Sequence, residues 1–198
     1  MAARGQYAKG VAKREEILST ALDVIARNGY RRTSVKELAE AVGLSQAGLL
    51  HYFSSKEELF QEILRKRDEV DSQNFVLGDR NPFDVFIDVI AHNAEVPGLV
   101  QLYAQLSTEA GDPDHPARQY FIDRFQAFRD TVAPTIAAEQ AAGRMRSDID
   151  PIVVTNIMLA VSDGMQTQWM LDPTVDMAGT LAALLDVLRP VDAPERQD

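Results

Sequence analysis

The sequence predicts an all-α protein with a small N-terminal domain and a larger C-terminal helical one. Three observations carry that reading. Nearly every segment places apolar residues at helical spacing, and none alternates convincingly as a strand. Start and stop residues recur between the segments: serines with glutamate three residues on, then glycines and prolines. Charge is also split along the chain. Residues 1–67 hold twelve Lys/Arg against eight Asp/Glu and residues 68–198 hold eight against twenty-two, a net +4 followed by a net −14. A basic first third on an acidic remainder implies two jobs in one chain.

The first helix is expected over 10–28, with Val11, Ile17, Leu18, Ala21, Leu22 and Ile25 on one stripe and Asn28-Gly29 as its stop. A short second helix follows Ser34, whose pairing with Glu37 fits a capping box. Val35, Leu38, Ala39 and Val42 form its apolar face, and Gly43 ends it. Ser45 caps a third helix. Ser55 with Glu58 is a second capping box, opening a helix to about Val70. Longer helices then start at Pro82, at Pro97 and near Ala117. The last of these carries Phe121, Phe125 and Phe128, and Pro134 is expected to kink or interrupt it. Asp150-Pro151 reads as a cap followed by proline at the first helical position, opening a helix to about Leu171. A final helix covers about 175–189, and the tail VDAPERQD is expected to be loose.

With 198 residues, 45% of them hydrophobic and 25% charged, the chain buries a substantial core. It has no cysteine, so a disulfide framework and a thiolate metal site are excluded. The start, MAARGQYAKGVAKREE, has no apolar signal-peptide core. The most apolar run, IVVTNIMLAV (152–161), is too short to span a bilayer. A soluble, cytoplasmic protein without membrane association is expected.

The two short helices joined by Gly43-Leu44 form a helix-turn-helix. Ala39 is small where the helices cross, and Gly43 permits a left-handed turn. Leu44, Leu49 and Phe53 anchor the second helix of the pair. Its other face carries Gln46, Gly48, Leu50, His51 and Tyr52, flanked by Arg31, Arg32 and Lys56. Such an arrangement lays a helix in the major groove of double-stranded DNA while flanking groups hold phosphates.

The stretch NGYRRTSVKELAEAVGLSQAGLLHYFSSKEELF (28–60) resembles the TetR-type one-component transcriptional regulators. The matching features are the Thr-Ser pair before the second helix, the Ala-x-x-x-Gly-x-Ser core and the His-Tyr-Phe-x-Ser-Lys-Glu-x-Leu ending. The resemblance implies an N-terminal three-helix DNA-binding domain (1–54) and a larger C-terminal domain (55–198) for ligand binding and dimerisation. It implies Ser34 and Lys36 beside the DNA, with Ser45, Gln46, Ala47 and Gly48 facing the groove. Gln46 would read adenine through its N6/N7 edge. Tyr52 and Lys56 would bind phosphates, Lys56 with help from a helix N-terminus.

Two positions depart from the family pattern. Gly48 stands where threonine is common, and Leu50 where a backbone-contacting tyrosine is usual. Leu50 would touch a thymine methyl instead, leaving His51 or Tyr52 to take the phosphate. A glycine inside a helix costs about 0.5–1 kcal/mol relative to alanine. Two readings of Gly48 stay open: it lets the backbone approach the DNA closely, or packing by Leu49 and Phe53 simply tolerates it.

For the C-terminal region, the resemblance implies a small-molecule effector cavity. Its candidate lining is Phe86, Ile90, His92, Tyr103, Phe121, Phe125, Phe128, Met158, Met165, Gln166 and Trp169, with Asn156 as a further polar contact. Most of these residues serve equally as ordinary core. The last two helices carry Ile152, Val153, Ile157, Val161, Gly164, Leu181, Leu184, Leu185 and Leu188, a set suited to a homodimer interface.

No enzyme is expected. His51, His92 and His115 are scattered, and the sequence lacks His-Glu-x-x-His, a phosphate-binding glycine loop and Gly-x-Ser-x-Gly. No metal site or cofactor is anticipated. The expectation is a repressor released from a pseudo-palindromic operator by an effector, with the 55–70 helix linking the domains. Effector binding would spoil the match to half-sites about 34–36 Å apart, a coupling typically worth about 1–3 kcal/mol. The rival reading is a non-specific, architectural DNA-binding protein with no ligand response.

Overall fold

The computed structural model describes residues 2–75 and 80–190, with side chains from residue 9 onward. The tail at 191–198, expected to be loose, lies outside the described residues. Among these residues there are nine α-helices, one 3-10 turn and no strand. The helices are α1 (Ala2–Asn28), α2 (Val35–Ala41), α3 (Gln46–Leu50), α4 (Lys56–Asn74), α5 (Pro82–Asn93), α6 (Pro97–Glu109), α7 (Arg118–Ala141), α8 (Pro151–Leu171) and α9 (Met177–Val187). No helix among them is long and apolar enough to cross a membrane. The chain forms two compact units, one of Met1–Gly78 with His92–Phe121 and one of Asp79–Ala91 with Ile122–Asp198.

In the first unit, α1 buries Ile17, Leu18, Ala21 and Ile25 as its stripe requires. Val11, expected on that stripe, is 53% exposed, because it lies on the rim of an open groove that α1 forms with α4. The helix begins at Ala2 rather than residue 10. No proline interrupts residues 2–11, and extending an existing helix costs far less than nucleating one. A 3-10 turn at Tyr30–Arg32, not anticipated, carries the chain from α1 towards α2. α6 passes so close to α1 that a Cβ on Gly98 would collide with the Ile25 carbonyl and sit 2.8 Å from the Gly29 Cα. α4 buries Leu59, Phe60, Ile63 and Leu64, and the Tyr30 ring meets Phe60 edge-on at 5.1 Å. It runs past the expected end at Val70 to Asn74. Just before that extension Arg67 is buried, held by the Asn93 side chain and by Asp71 of the extension at 3.5 Å. Pairing of this kind is what makes a buried guanidinium tolerable.

In the second unit, Phe83, Ile136, Met145, Val154, Met158 and Leu188 form a core, with Phe86, Val132, Ile149, Leu184 and Leu185 packed on it. α7 runs through Pro134 without ending there. Pro134 is exposed, so the carbonyl that loses its helical donor stands on a solvated turn. α8 starts as read, with the Asp150 carboxylate accepting from the Ile152 N–H at 2.8 Å and Pro151 at the first position. α9 is shorter than expected. Its cap is Asp176, which accepts from the Gly179 N–H at 2.8 Å.

Candidate nucleic-acid interface

Three helices around residues 34–58 start on a serine. At α2, the Ser34 hydroxyl accepts from the Glu37 N–H at 3.2 Å, and the Glu37 carboxylate accepts from the Ser34 N–H at 2.7 Å. The bond from the Ser34 amide foremost, and then one from the Ser34 hydroxyl to the same carboxylate at 3.0 Å, hold the Glu37 carboxyl below its usual range. At α3, the Ser45 hydroxyl accepts from the Gly48 N–H at 3.0 Å. At α4, Ser55 accepts from the Glu58 N–H at 3.0 Å. The box expected there is modified: the Glu58 carboxylate reaches past Ser55 to the Ser54 N–H at 2.6 Å. Hydrogen bonds from Ser54 lower its pKa, with Arg14 adding to the effect.

The turn between α2 and α3 is a Schellman motif. The Gly43 N–H donates to the Glu40 carbonyl at 3.1 Å and the Leu44 N–H to the Ala39 carbonyl at 2.8 Å. Gly43 has φ 70°, which is why glycine is needed there. Ala39 is fully buried at the crossing. α3 has only five residues, too few to persist alone. Its anchors are Leu49 and Phe53, 0% and 2% exposed. Burying two such side chains is worth about 1.5–3 kcal/mol each, which outweighs the roughly 0.5–1 kcal/mol that Gly48 costs. Leu44 is only half-buried.

The opposite face of α3 looks outward. Gln46, Ala47 and His51 are exposed, and Gly48, Leu50 and Tyr52 are half-buried. The His51 and Tyr52 rings meet edge-on, 6.1 Å between centroids. Lys36 is exposed, with Glu40 at 3.8 Å, a loose surface pair of little energetic weight. At the N-terminal ends of α2 and α4 lies an open cleft of about 640 Å³ lined by Tyr30, Arg31, Arg32, Thr33, Ser34, Glu37, Lys56, Phe60 and Gln105. It gathers three cations around the N-terminus of α2, and the Lys56 ammonium lies 5.6 Å over the Phe60 ring. Cations, a serine hydroxyl and a helix N-terminus are the groups that hold phosphate. Of the residues singled out in the sequence, Ser34 and Lys56 meet in this cleft, whereas Ser45, Gln46, Ala47, Gly48 and Leu50 stand on α3.

Two residues of this region escaped the sequence reading. The Lys13 ammonium donates to the Val42 carbonyl at 3.1 Å. Arg14 donates to the Tyr52 carbonyl and lies 4.4 Å over the Phe53 ring. A sequence signal existed for Arg14. It occupies the same helical stripe as Val11, Leu18, Ala21 and Ile25, and a charge on an apolar stripe needs a buried partner.

The candidate cavity residues divide between the units. In the first, Tyr103 and Phe121 are buried with rings 5.6 Å apart, and His92 is half-buried, paired with Glu95 at 2.9 Å and 5.5 Å from the Phe75 ring. In the second, the Phe86 and Phe128 rings meet at a tilt, 5.1 Å between centroids, and Ile90, Met158, Gln166 and Trp169 are buried. Phe125 and Met165 are half-buried. Asn156 is exposed and accepts from the Arg129 guanidinium at 2.8 Å, so it faces solvent and not a cavity. On α8, Ile152, Val153 and Ile157 are 46%, 47% and 36% exposed, while Val161 and Gly164 are half-buried. On α9, Leu184 and Leu185 are half-buried, whereas Leu181 and Leu188 are buried inside the unit.

Comparison with known proteins agrees with this geometry. The repressor AcnR of Corynebacterium diphtheriae is 28% identical over 152 residues, covering 77% of this chain and 78% of that protein. The repressor KstR2 of Rhodococcus jostii is 27% identical over 154 residues, 70% of each chain. A transcriptional regulator of Saccharomonospora viridis, solved in complex with choline, superposes with a TM-score of 0.68 at 25% identity, over 87% of this chain and 93% of that one. Residues 17–63, which contain α2, α3 and the turn between them, match the bacterial regulatory proteins of the tetR family.

Proposed function

We propose that the protein is a dimeric, ligand-responsive repressor that binds a pseudo-palindromic operator. The observation that carries this reading is the outward face of α3 together with a cleft holding Arg31, Arg32 and Lys56. Gln46 is placed to read a base edge, with Ser34, Lys36, Ser45, Ala47, Gly48, Leu50, His51, Tyr52 and Lys56 completing the contact surface. Residues 1–54 form the DNA-binding part and 55–198 the part that dimerises and takes the effector.

Dimerisation uses the apolar face that α8 leaves exposed at Ile152, Val153 and Ile157, extended by Val187 of α9, which is 67% exposed. A Cβ on Gly164 would meet nothing within 4 Å, so that turn leaves room for a partner helix. Two-fold symmetry in the protein matches two half-sites in the DNA. The effector is a small molecule held among the aromatic side chains of the C-terminal region. The Saccharomonospora viridis regulator solved in complex with choline supports a small organic molecule as the effector.

Footprinting and anisotropy on the DNA flanking the protein's own gene, across a salt series, test the reading. A discrete symmetric footprint is expected, with affinity well above that for random DNA. Equal and steeply salt-dependent binding to any duplex would favour the architectural alternative instead. Ile157→Arg is expected to yield monomers in sedimentation and to lose operator binding.

A further inference from the structure

We propose that Arg14 of α1 positions the α3 segment for base readout, and that Lys13 does the same for α2. The proposal rests on the DNA-binding reading above. α3 cannot fix its own orientation, since five residues make little more than one turn. Its N-terminal end is held by Ser45. Its other end is held from a distant part of the chain. One terminal nitrogen of Arg14 donates to the Tyr52 carbonyl, just beyond the C-terminus of α3. The other faces the Glu58 and Glu62 carboxylates of α4 at 3.3 and 3.2 Å. The flat guanidinium also covers the Phe53 ring. A planar fork can serve a carbonyl, two carboxylates and an aromatic face together, which an ammonium cannot. A cation at a helix C-terminus is also where the helix dipole favours it.

Glu58 closes the arrangement. It takes Arg14 on one oxygen and the Ser54 N–H on the other, so the link between α3 and α4 is tied at both ends to α1. The neighbouring Lys13 holds the Val42 carbonyl, at the C-terminal cap of α2. Adjacent side chains of one helix therefore grip the C-terminal ends of both helices of the DNA-reading pair. The angle at which α3 presents Gln46 is set from α1. Two carboxylates neutralise Arg14, and it is two-thirds buried, so it is not itself a phosphate contact.

The experiment uses the full-length protein with Arg14→Ala and Arg14→Lys. Amide hydrogen exchange over residues 49–53 is read without DNA. The wild type is then used to enrich duplexes from a random-sequence library. Affinities for the enriched duplex and for a shuffled one are compared across salt. In Arg14→Ala, exchange over 49–53 is expected to rise while α8 and α9 keep their protection. Affinity for the enriched duplex should fall by about tenfold or more, the loss expected for a hydrogen bond to a charged group. Affinity for the shuffled duplex and the salt slope should stay unchanged. Arg14→Lys should recover part of the loss.

Unchanged exchange over 49–53 would overturn the proposal. So would an equal fall for both duplexes with a salt slope reduced by about one, the signature of a phosphate contact. If Arg14→Ala does not fold, Arg14→Lys decides on the same readouts, with a smaller loss of the same pattern expected. If the wild type enriches no duplex, the DNA-binding reading fails and the role in base readout fails with it. The exchange data then still report whether Arg14 holds the segment.

Discussion

Helices α2 and α4 begin differently from α3, although all three use a serine cap. At α2 and α4 the third helical residue is Glu37 or Glu58, and its carboxylate turns back to a backbone N–H. At α3 the same position is Gly48. The first two starts are closed by a negative charge, which the helix dipole favours. The third keeps the serine and omits the carboxylate. On the proposed reading, a carboxylate there would stand beside Gln46, on the face that meets the base edges. The cap chemistry therefore sets α3, the helix proposed for base readout, apart from its two neighbours.

The sharpest way to break this comparison is Gly48→Glu, which gives α3 the third residue of its neighbours. Thermal stability should hold or rise, because a capping box becomes possible. Operator affinity should fall by about tenfold or more through like-charge repulsion. Unchanged affinity in anisotropy would mean that this end of α3 does not face phosphate.

Smaller effects come from the caps themselves. Ser34→Ala and Ser45→Ala should each cost about 1 kcal/mol in denaturant unfolding, the usual loss for a serine cap. Ser34→Ala should cost more, since it also frees Glu37 from the hydroxyl it contacts at 3.0 Å. Gly48→Ala should change stability little. It gains about 0.5–1 kcal/mol of backbone entropy, but the new Cβ sits 3.2 Å from the Ser45 hydroxyl and crowds the cap. The same variant decides between the two readings of Gly48: weaker operator binding supports close backbone approach, and unchanged binding supports mere tolerance.

The smallest effect is on pH dependence. Glu37 and Glu58 titrate below their ordinary value of 4.5 in the folded chain. Their stabilisation is therefore present above that value and is lost as pH falls through the lower folded one. The melting-temperature gap between wild type and Glu37→Gln should narrow as the solution is acidified below about 4.5. A gap that stays constant would show that the carboxylate's charge adds nothing to the cap. α3, with no cap carboxylate, contributes no such dependence.

The features read correctly in the sequence share one property, which is closeness along the chain. Ser34 and Glu37, Ser45 and Gly48, Asp150 and Ile152 are two or three residues apart, and Gly43 answers a local need for positive φ. Where two partners were nearly equivalent the reading slipped, as when Glu58 chose the Ser54 N–H over that of Ser55. Helix ends slipped as well. The starts and ends of α1 and α4 are set by how far packing lets a helix propagate, not by a single residue.

By itself the sequence determined the all-helical class, the three serine starts, the turn at Gly43 and the exposure of Gln46 and His51, because each depends on neighbours within a helical turn. Only the tertiary structure decided that Gly98 meets the Ile25 carbonyl, that Leu181 and Leu188 lie inside while Ile152 and Val153 lie outside, and that Lys13 and Arg14 hold the ends of α2 and α3. Those last two bonds span 29 and 38 residues. The physical reason is that a helical stripe announces which face is buried but not what comes to cover it. The partner of a charge on that stripe is fixed only when distant helices close on it.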